Sequence, residues 1–149
     1  MKKQGQRGAT IAEAAITAVA LFTLLLGTVE FGRIFSIYQS VTNAAREGAR
    51  YAVAPDPTTG TLPSSAEVLA HVTVFLDAAS LKGPASDCAD SGRDKTLPCV
   101  QVNPVATQVV NNVTVTYTQV TVVSPYTFYF VPFSPVNITA YSEMRNETN

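Results

Sequence analysis

The residues that could carry out chemistry are few and poorly grouped in this chain of 149 residues. Its single histidine is His71, and its two cysteines are Cys88 and Cys99. The sequence lacks the GxSxG, P-loop, GxGxxG and HExxH patterns, which position nucleophiles, phosphates or a catalytic zinc. Its acidic residues are scattered over loops and one long helix. We therefore predict that the protein is not an enzyme and binds no cofactor.

The same residue types argue against a metal site. The cysteines lack CxxC spacing and lie far from His71, which disfavours a structural zinc. Asp87, Asp90 and Asp94 do not follow the DxDxDG pattern of calcium loops, so a solvated loop is favoured over a cation site. His71 and Asp77 lie off the apolar stripe of their predicted helix. We expect both side chains to be solvated.

The two cysteines have a simpler use. If their polar loop lies outside the cytoplasm, Cys88 and Cys99 are expected to form a disulfide, because exported compartments are oxidising. Closing so short a loop contributes about 3 kcal/mol by the chain-entropy estimate. The alternative is a pair of unpaired thiols.

Glu13 is the most unusual carboxylate of the chain. It lies in the run ATIAEAAITAVALFTLLLGTV, which carries no other charge. A charge at the centre of a bilayer costs about 2.5–3.5 kcal/mol, so its presence calls for an explanation. One explanation is a functional role inside the segment. The other is a place at the membrane surface, where the positive end of the helix dipole favours an acid.

The apolar run is long enough to cross a membrane. Residues 9–29 would form a helix of about 32 Å, close to the roughly 30 Å hydrocarbon core. Because Lys2, Lys3 and Arg7 precede the run, the N-terminus is predicted to stay cytoplasmic and the chain after about Val29 to be exported. The net charge of −1 gives no general attraction to nucleic acid, so we predict no nucleic-acid partner.

Three interpretations of this N-terminus compete. The first is a secretory signal peptide, but the sequence VEFGRIF after the run lacks an A-x-A cleavage pattern. The second is a permanent single-span anchor. The third is a short basic leader, cut between Gly8 and Ala9, which leaves the apolar helix on the mature protein. Glu13 would then be the fifth mature residue and could neutralise the new amine of a neighbouring subunit.

A helical pattern continues beyond Val29 to about residue 54. One predicted face is apolar and carries Phe31, Ile34, Phe35, Tyr38, Val41, Thr42, Ala45 and Ala49 at spacings of three and four. The other face carries Arg33, Gln39, Asn43, Arg46, Glu47 and Arg50. Gly27, Gly32 and Gly48 are predicted points of bending or close helix approach, since glycine costs about 1 kcal/mol relative to alanine inside a helix.

The segments RGATIAEAAI, LLLGTVEFGRIF and VTNAAREGARYA, in this order between Arg7 and Ala52, resemble the N-terminal region of TadE-like proteins. These are minor pilin-like (pseudopilin) components of tight-adherence, or Flp-type, pili. The resemblance implies cleavage after Gly8 by a prepilin peptidase and an assembly role for Glu13. Ala14 departs from the bulky apolar residue common in the family.

The motif EFGR (Glu30, Phe31, Gly32 and Arg33) also belongs to this resemblance. We interpret it as the outer boundary between membrane and water. The family further implies a single-pass protein of the bacterial inner membrane that is later incorporated into a pilus. Its expected partners are prepilin peptidase, other pilin-like subunits, the inner-membrane assembly machinery and membrane lipid. The alternative function is a permanently anchored periplasmic binding or sensing domain.

The rest of the chain predicts a small α+β domain. Ser64 and Glu67 form a capping box before an amphipathic helix over residues 64–81. Valine- and threonine-rich strands follow from residue 100, with a β-bulge predicted at Thr118 or Gln119, an aromatic loop over residues 124–135 and a last strand over 137–145. We expect a sheet of three or four antiparallel strands covered by both helices. The predicted organisation is a leader (1–8), a long helix (9–54, with 9–29 in the membrane) and an exported domain (55–149).

Overall fold

A computed structural model describes residues 4–79, 81, 85–110, 113–130 and 133–146. Its first element, α1, is one uninterrupted helix of 50 residues, Gln4–Val53. At 1.5 Å per residue it is about 75 Å long. No proline occurs before Pro55, so nothing in the sequence removes a backbone donor from the helix. The predicted long helix is confirmed.

The second helix, α2, spans Ser65–Ala78 and starts at the predicted capping box. The Ser64 hydroxyl accepts a hydrogen bond from the Glu67 amide (3.3 Å), and the Glu67 carboxylate accepts one from the Ser64 amide (2.7 Å). Both groups therefore satisfy amides that the first helical turn leaves without partners. The helix ends three residues before the predicted end at residue 81. Gly83 and Pro84, which in the sequence also indicate a helix end before them, lie outside the described residues.

The sheet has four strands in the order β1-β2-β3-β4: Ser86–Asp87, Cys99–Val110, Val113–Tyr126 and Val136–Arg145. The β2–β3 and β3–β4 pairs are antiparallel, as predicted, but β1 pairs with β2 in parallel. The sheet is therefore mixed. The disulfide between Cys88 and Cys99 explains the short parallel pair, because it fastens the chain after β1 to the first residue of β2.

The predicted position of the β-bulge is wrong. The pairing register shifts between Asn103 and Ala106 of β2, not within β3. Pro104 lies in this interval and has no amide to donate to the ladder. Opposite it, Thr118 is buried and its hydroxyl bonds the Pro104 carbonyl (3.2 Å). The alternation of valines along β3 therefore changes phase because Thr118, a polar residue, is buried opposite the bulge in β2.

Both helices cover one face of the sheet. α1 packs on β3, β4 and α2, and α2 also packs on β2. The core contains residues of both helices and three strands: Val41, Ala44, Ala45, Ala49, Ala52, Val68, Val72, Leu76, Val100, Val120, Val122 and Ala140. All core residues of α1 lie after residue 40. The α+β class is confirmed. The whole apolar segment from Gly8 to Val29 lies outside this core.

Candidate functional site

The N-terminal half of α1 has the surface of a membrane-spanning helix. The helix Gly8–Val53 is long and apolar enough to cross a bilayer, with an 18-residue window of mean hydropathy 2.0 that is 0% buried. Large exposed side chains surround this half: Ile11, Ile16, Val19, Leu21, Phe22, Leu24, Leu25, Leu26 and Val29. Such a continuous apolar surface on one element marks contact with lipid or with other proteins.

Three threonine hydroxyl groups in this half form hydrogen bonds with the backbone of the helix itself. Thr17, Thr23 and Thr28 each donate to the carbonyl four residues earlier, at 2.9, 2.8 and 2.9 Å. These side chains therefore need no water to satisfy their donors, as a lipid environment requires.

The residues predicted for processing and assembly lie on the same exposed half. The bond between Gly8 and Ala9 lies within α1, and both residues are exposed. Glu13 follows Ala9 by four residues, about one helical turn, and its side chain is also exposed. The three residues thus share one end of the helix, where no described part of the folded domain covers them.

Glu30 has the opposite environment, because it is buried where the apolar segment ends. Its side chain is only 5% exposed and accepts three kinds of hydrogen bond. One comes from the Tyr126 hydroxyl, one from the Tyr129 amide (3.2 Å) and one from the Arg33 guanidinium (3.3 Å). A buried carboxylate needs such partners to offset its loss of water. We call these four residues the Glu30 cluster.

Within the Glu30 cluster, Arg33 also contacts the rings of both tyrosines. The Arg33 guanidinium carbon lies 3.8 Å from the Tyr129 ring centroid and 5.3 Å from that of Tyr126, as in cation–π pairs. Burial, together with the hydrogen bond to Glu30, raises the pKa of Tyr126 to about 12. Tyr126 therefore stays protonated and donates to Glu30 throughout the physiological range.

The EFGR motif is divided between two surfaces. Glu30 and Arg33 point towards the domain and hold Tyr126 and Tyr129, whereas Phe31 and Gly32 are exposed. Sequence reasoning did not identify the two tyrosines. A carboxylate at the end of an apolar run does signal a missing partner, but the tyrosines follow Glu30 by 96 and 99 residues.

The apolar face predicted beyond Val29 is only partly correct. Val41, Ala45 and Ala49 are buried, but the aromatic residues Phe31, Phe35 and Tyr38 are exposed. The helix buries mainly alanine and glycine where it contacts the domain, because these residues let neighbouring elements approach. We call Phe31, Phe35 and Tyr38 the aromatic stripe.

Gly48 is the point of closest approach. A Cβ atom added there would lie 2.5 Å from Val72 Cγ2 and 3.1 Å from Val120 Cγ1. At Gly27 and Gly32 the same atom would meet nothing within 4 Å. Only Gly48 of these three glycines therefore confirms the prediction of close packing inside this chain.

The prediction of a solvated His71 is only partly correct, because its side chain is 31% exposed but also has partners inside the domain. Its ring stacks on Tyr51 with centroids 4.2 Å apart, and its Nε2 lies 3.4 Å from Glu47 Oε1. Glu47 also pairs with Arg50 at 2.7 Å. This arrangement joins α1 to α2. Among the described residues, no group of three or more His, Cys, Asp or Glu side chains could hold a metal ion.

Cys88 and Cys99 are bonded in the structure, with Cα atoms 4.9 Å apart. Cys99 is buried at the start of β2, and the amide of Cys88 donates to the Val100 carbonyl (3.1 Å). The disulfide thus closes the polar loop against the edge of the sheet.

Comparison with known proteins finds a similarity in the N-terminal region. The sequence model of the family described as TadE-like protein matches residues 8–50. Neither the curated proteins nor the solved structures include a match to this chain. The TadE-like family is structural and associated with tight-adherence pili, and it is not a known enzyme family. The match covers residues 8–50 of this chain and agrees with the resemblance to TadE-like proteins that the sequence predicted.

Proposed function

We propose that the protein is a pilin-like subunit of a tight-adherence pilus system, first anchored in the inner membrane and then assembled through α1. One observation carries this proposal. The family match over residues 8–50 covers a helix that leaves its apolar first half exposed, while its second half belongs to a folded domain. A protein that works alone in water has no use for such a surface.

In this proposal, residues 1–8 are a basic leader, residues 9–29 span the membrane and residues 55–149 form the exported part with the second half of α1. The N-terminus is cytoplasmic, on the side of Lys2, Lys3 and Arg7. Prepilin peptidase cuts between Gly8 and Ala9. The disulfide between Cys88 and Cys99 agrees with an oxidising compartment for the domain.

Assembly uses the exposed faces of α1. Small residues at Ala12, Ala15, Ala18 and Gly27 let neighbouring helices approach closely inside a bundle. Glu13 neutralises the amine of Ala9 on a neighbouring subunit, since an unpaired charge is costly away from water. The aromatic stripe extends this surface beyond the membrane. The partners are therefore other pilin-like subunits and the assembly machinery of the inner membrane.

The first test is the mature N-terminus. Intact-mass spectrometry of the protein from cells with an active prepilin peptidase should give a chain that begins at Ala9. Gly8→Val should block cleavage, whereas Gly5→Val in the same leader should leave it unchanged. An uncleaved wild-type chain in such cells would contradict the proposal and favour a permanently anchored periplasmic binding or sensing domain.

The second test separates assembly from anchoring. Glu13→Gln keeps the shape of the side chain but removes its charge, so we expect normal membrane insertion and loss of incorporation into pili. Glu67→Gln makes the same chemical change on the exported domain and should assemble normally. Normal assembly of Glu13→Gln would leave no role for Glu13 in neutralising the amine.

A further inference from the structure

The segment after β3 carries an aromatic surface that the proposed assembly does not use. Tyr129, Phe130 and Phe133 are 70%, 50% and 64% exposed. The five aromatic residues between Ser124 and Pro135 could either cover the core or form an exposed contact patch. Of these five side chains, only Tyr126 is fully buried, and Phe128 is half-buried. We call Tyr129, Phe130 and Phe133 the aromatic foot.

The structure holds the aromatic foot beside the start of the exported half of α1. Tyr129 donates its amide to Glu30 and places its ring 3.8 Å from the Arg33 guanidinium carbon. Phe133 contacts Phe128 edge to face at 5.5 Å, and Phe128 contacts the buried Tyr126 in the same way at 5.2 Å. Tyr129 is therefore fixed at the height of Glu30 and Arg33 along the helix, and Phe130 follows it directly in the chain.

This height coincides with the interfacial layer of the bilayer. If the span ends at Val29, Glu30 to Arg33 lie within about 6 Å of the hydrocarbon boundary, at 1.5 Å per residue. The headgroup layer on each side of a bilayer is about 5–8 Å thick. Aromatic side chains are enriched in this layer in membrane proteins.

Charge and continuity favour lipid as the occupant. The ion pair between Glu30 and Arg33 brings no net charge into the layer. Val29, the last residue of the proposed span, is exposed, so the aromatic foot adds to an apolar surface already placed for lipid. We infer that Tyr129, Phe130 and Phe133 insert into the outer interfacial layer of the membrane and fix the domain against it. This inference rests on the proposed span.

The test uses the absence of tryptophan from the sequence, because a single introduced Trp is then the only indole. Full-length Phe130→Trp is placed in phospholipid vesicles whose acyl chains are brominated near the headgroup or near the methyl ends. Bromine quenches only nearby indole, so the two lipids report depth. Val19→Trp in the span is the matched deep position.

Tyr141→Trp is the matched exposed position away from the membrane. Tyr141 pairs with Thr121, five residues before Tyr126 on β3, so it lies about 16 Å farther along the strand. We expect blue-shifted emission and stronger quenching by the shallow bromines for Phe130→Trp. Val19→Trp should be quenched most by the deep bromines, and Tyr141→Trp by neither. Phe133→Trp repeats the test if Phe130→Trp loses its near-ultraviolet circular dichroism.

The failures are distinguishable. Quenching of Val19→Trp without quenching of Phe130→Trp and Phe133→Trp would overturn the aromatic foot and leave the membrane span intact. No quenching of Val19→Trp would overturn the span and the foot together. A blue shift that occurs only at high protein-to-lipid ratio would show that the foot contacts protein, which also overturns the lipid assignment.

Discussion

The two halves of α1 differ in what they present although they form one continuous helix. Before Glu30 the exposed residues are large and apolar, such as Leu21, Phe22 and Leu24. After residue 40 the buried residues are mostly small, such as Ala45 and Ala49. Under the proposed membrane span, side-chain size follows the neighbour of each half. Lipid adapts to large side chains, whereas a sheet and a second helix must pack at fixed positions.

The Glu30 cluster stands where the two halves meet. Glu30 is the first of the described residues of α1 that the domain buries. The domain holds its side chain with hydrogen bonds from Tyr126 and Tyr129. The covered half should therefore unfold by itself when its own contacts are weakened. The exposed half, whose backbone hydrogen bonds beyond the first turn are internal to the helix, should stay helical in a membrane. The predictions below test this separation.

The largest effect is expected from the disulfide. Replacing Cys88 and Cys99 by serine together should lower the free energy of unfolding by about 3 kcal/mol, because the unfolded loop is no longer constrained. Tyrosine fluorescence and near-ultraviolet circular dichroism of the full chain in detergent micelles measure this loss. Far-ultraviolet circular dichroism should retain the signal of the exposed half of α1 after the domain has unfolded. Simultaneous loss of both signals would contradict the separation.

The next effect is expected at Gly48. Gly48→Ala forces a methyl group to within 2.5 Å of Val72 Cγ2, and such overpacking costs about 1–3 kcal/mol. Chemical denaturation of the full chain in micelles, followed by tyrosine fluorescence, measures the change.

Gly32→Ala is the matched control for Gly48→Ala, because its new methyl group meets nothing within 4 Å. In the helix interior it should stabilise α1 by up to about 1 kcal/mol. Equal destabilisation by both substitutions would show that the covered half depends on glycine flexibility and not on close packing.

A smaller and more local effect is expected from Tyr126→Phe, which removes the hydroxyl donor to Glu30 but keeps the ring. The amide of Tyr129 should exchange its hydrogen faster, since it donates to the same carboxylate. Hydrogen exchange followed by mass spectrometry measures this rate. Tyr141→Phe changes an exposed tyrosine and should leave the rate unaltered. Unchanged exchange in Tyr126→Phe would mean that the cluster does not hold the aromatic foot.

Local features of this fold could be predicted from the sequence because each depends on a few adjacent residues. The capping box of Ser64 and Glu67 and the long unbroken helix, predicted over residues 9–54, are such features. The parallel pairing of β1 could not be predicted, because a strand of two residues, Ser86–Asp87, is too short to carry an alternating pattern. The spacing of apolar residues along α1 likewise could not show which of them the sheet would cover.

The tyrosine partners of Glu30 in the Glu30 cluster could not be predicted from the sequence either. The EFGR motif indicated a boundary, but Tyr126 and Tyr129 approach it only because β3 runs beside α1. The roles of Gly8, Ala9 and Glu13 stay predictions, since they concern other molecules. A single sequence does not tell which distant aromatic residues will meet a buried carboxylate.

The smallest effect is expected from pH at the start of α2. Hydrogen bonds from Ser64, chiefly from its amide, hold the pKa of Glu67 below its ordinary value of 4.5, although the loss of water and the charge of Asp56 oppose them. A lowered pKa means that this stabilisation is complete above the ordinary value and is lost as the pH falls through the lowered one. Glu67→Gln keeps a capping side chain that does not titrate there.

Thermal unfolding of the full chain in micelles, measured between neutral pH and pH values below the ordinary pKa of Glu67, tests this expectation. The wild type should lose more of its melting temperature on acidification than Glu67→Gln does. Both proteins share the other carboxylates with lowered pKa values, such as Glu47 and Asp94, so only the difference between them reports Glu67. The far-ultraviolet signal of the exposed half should not change with pH in either protein. Equal losses in both would mean that the capping box contributes no pH-dependent stability to the covered half.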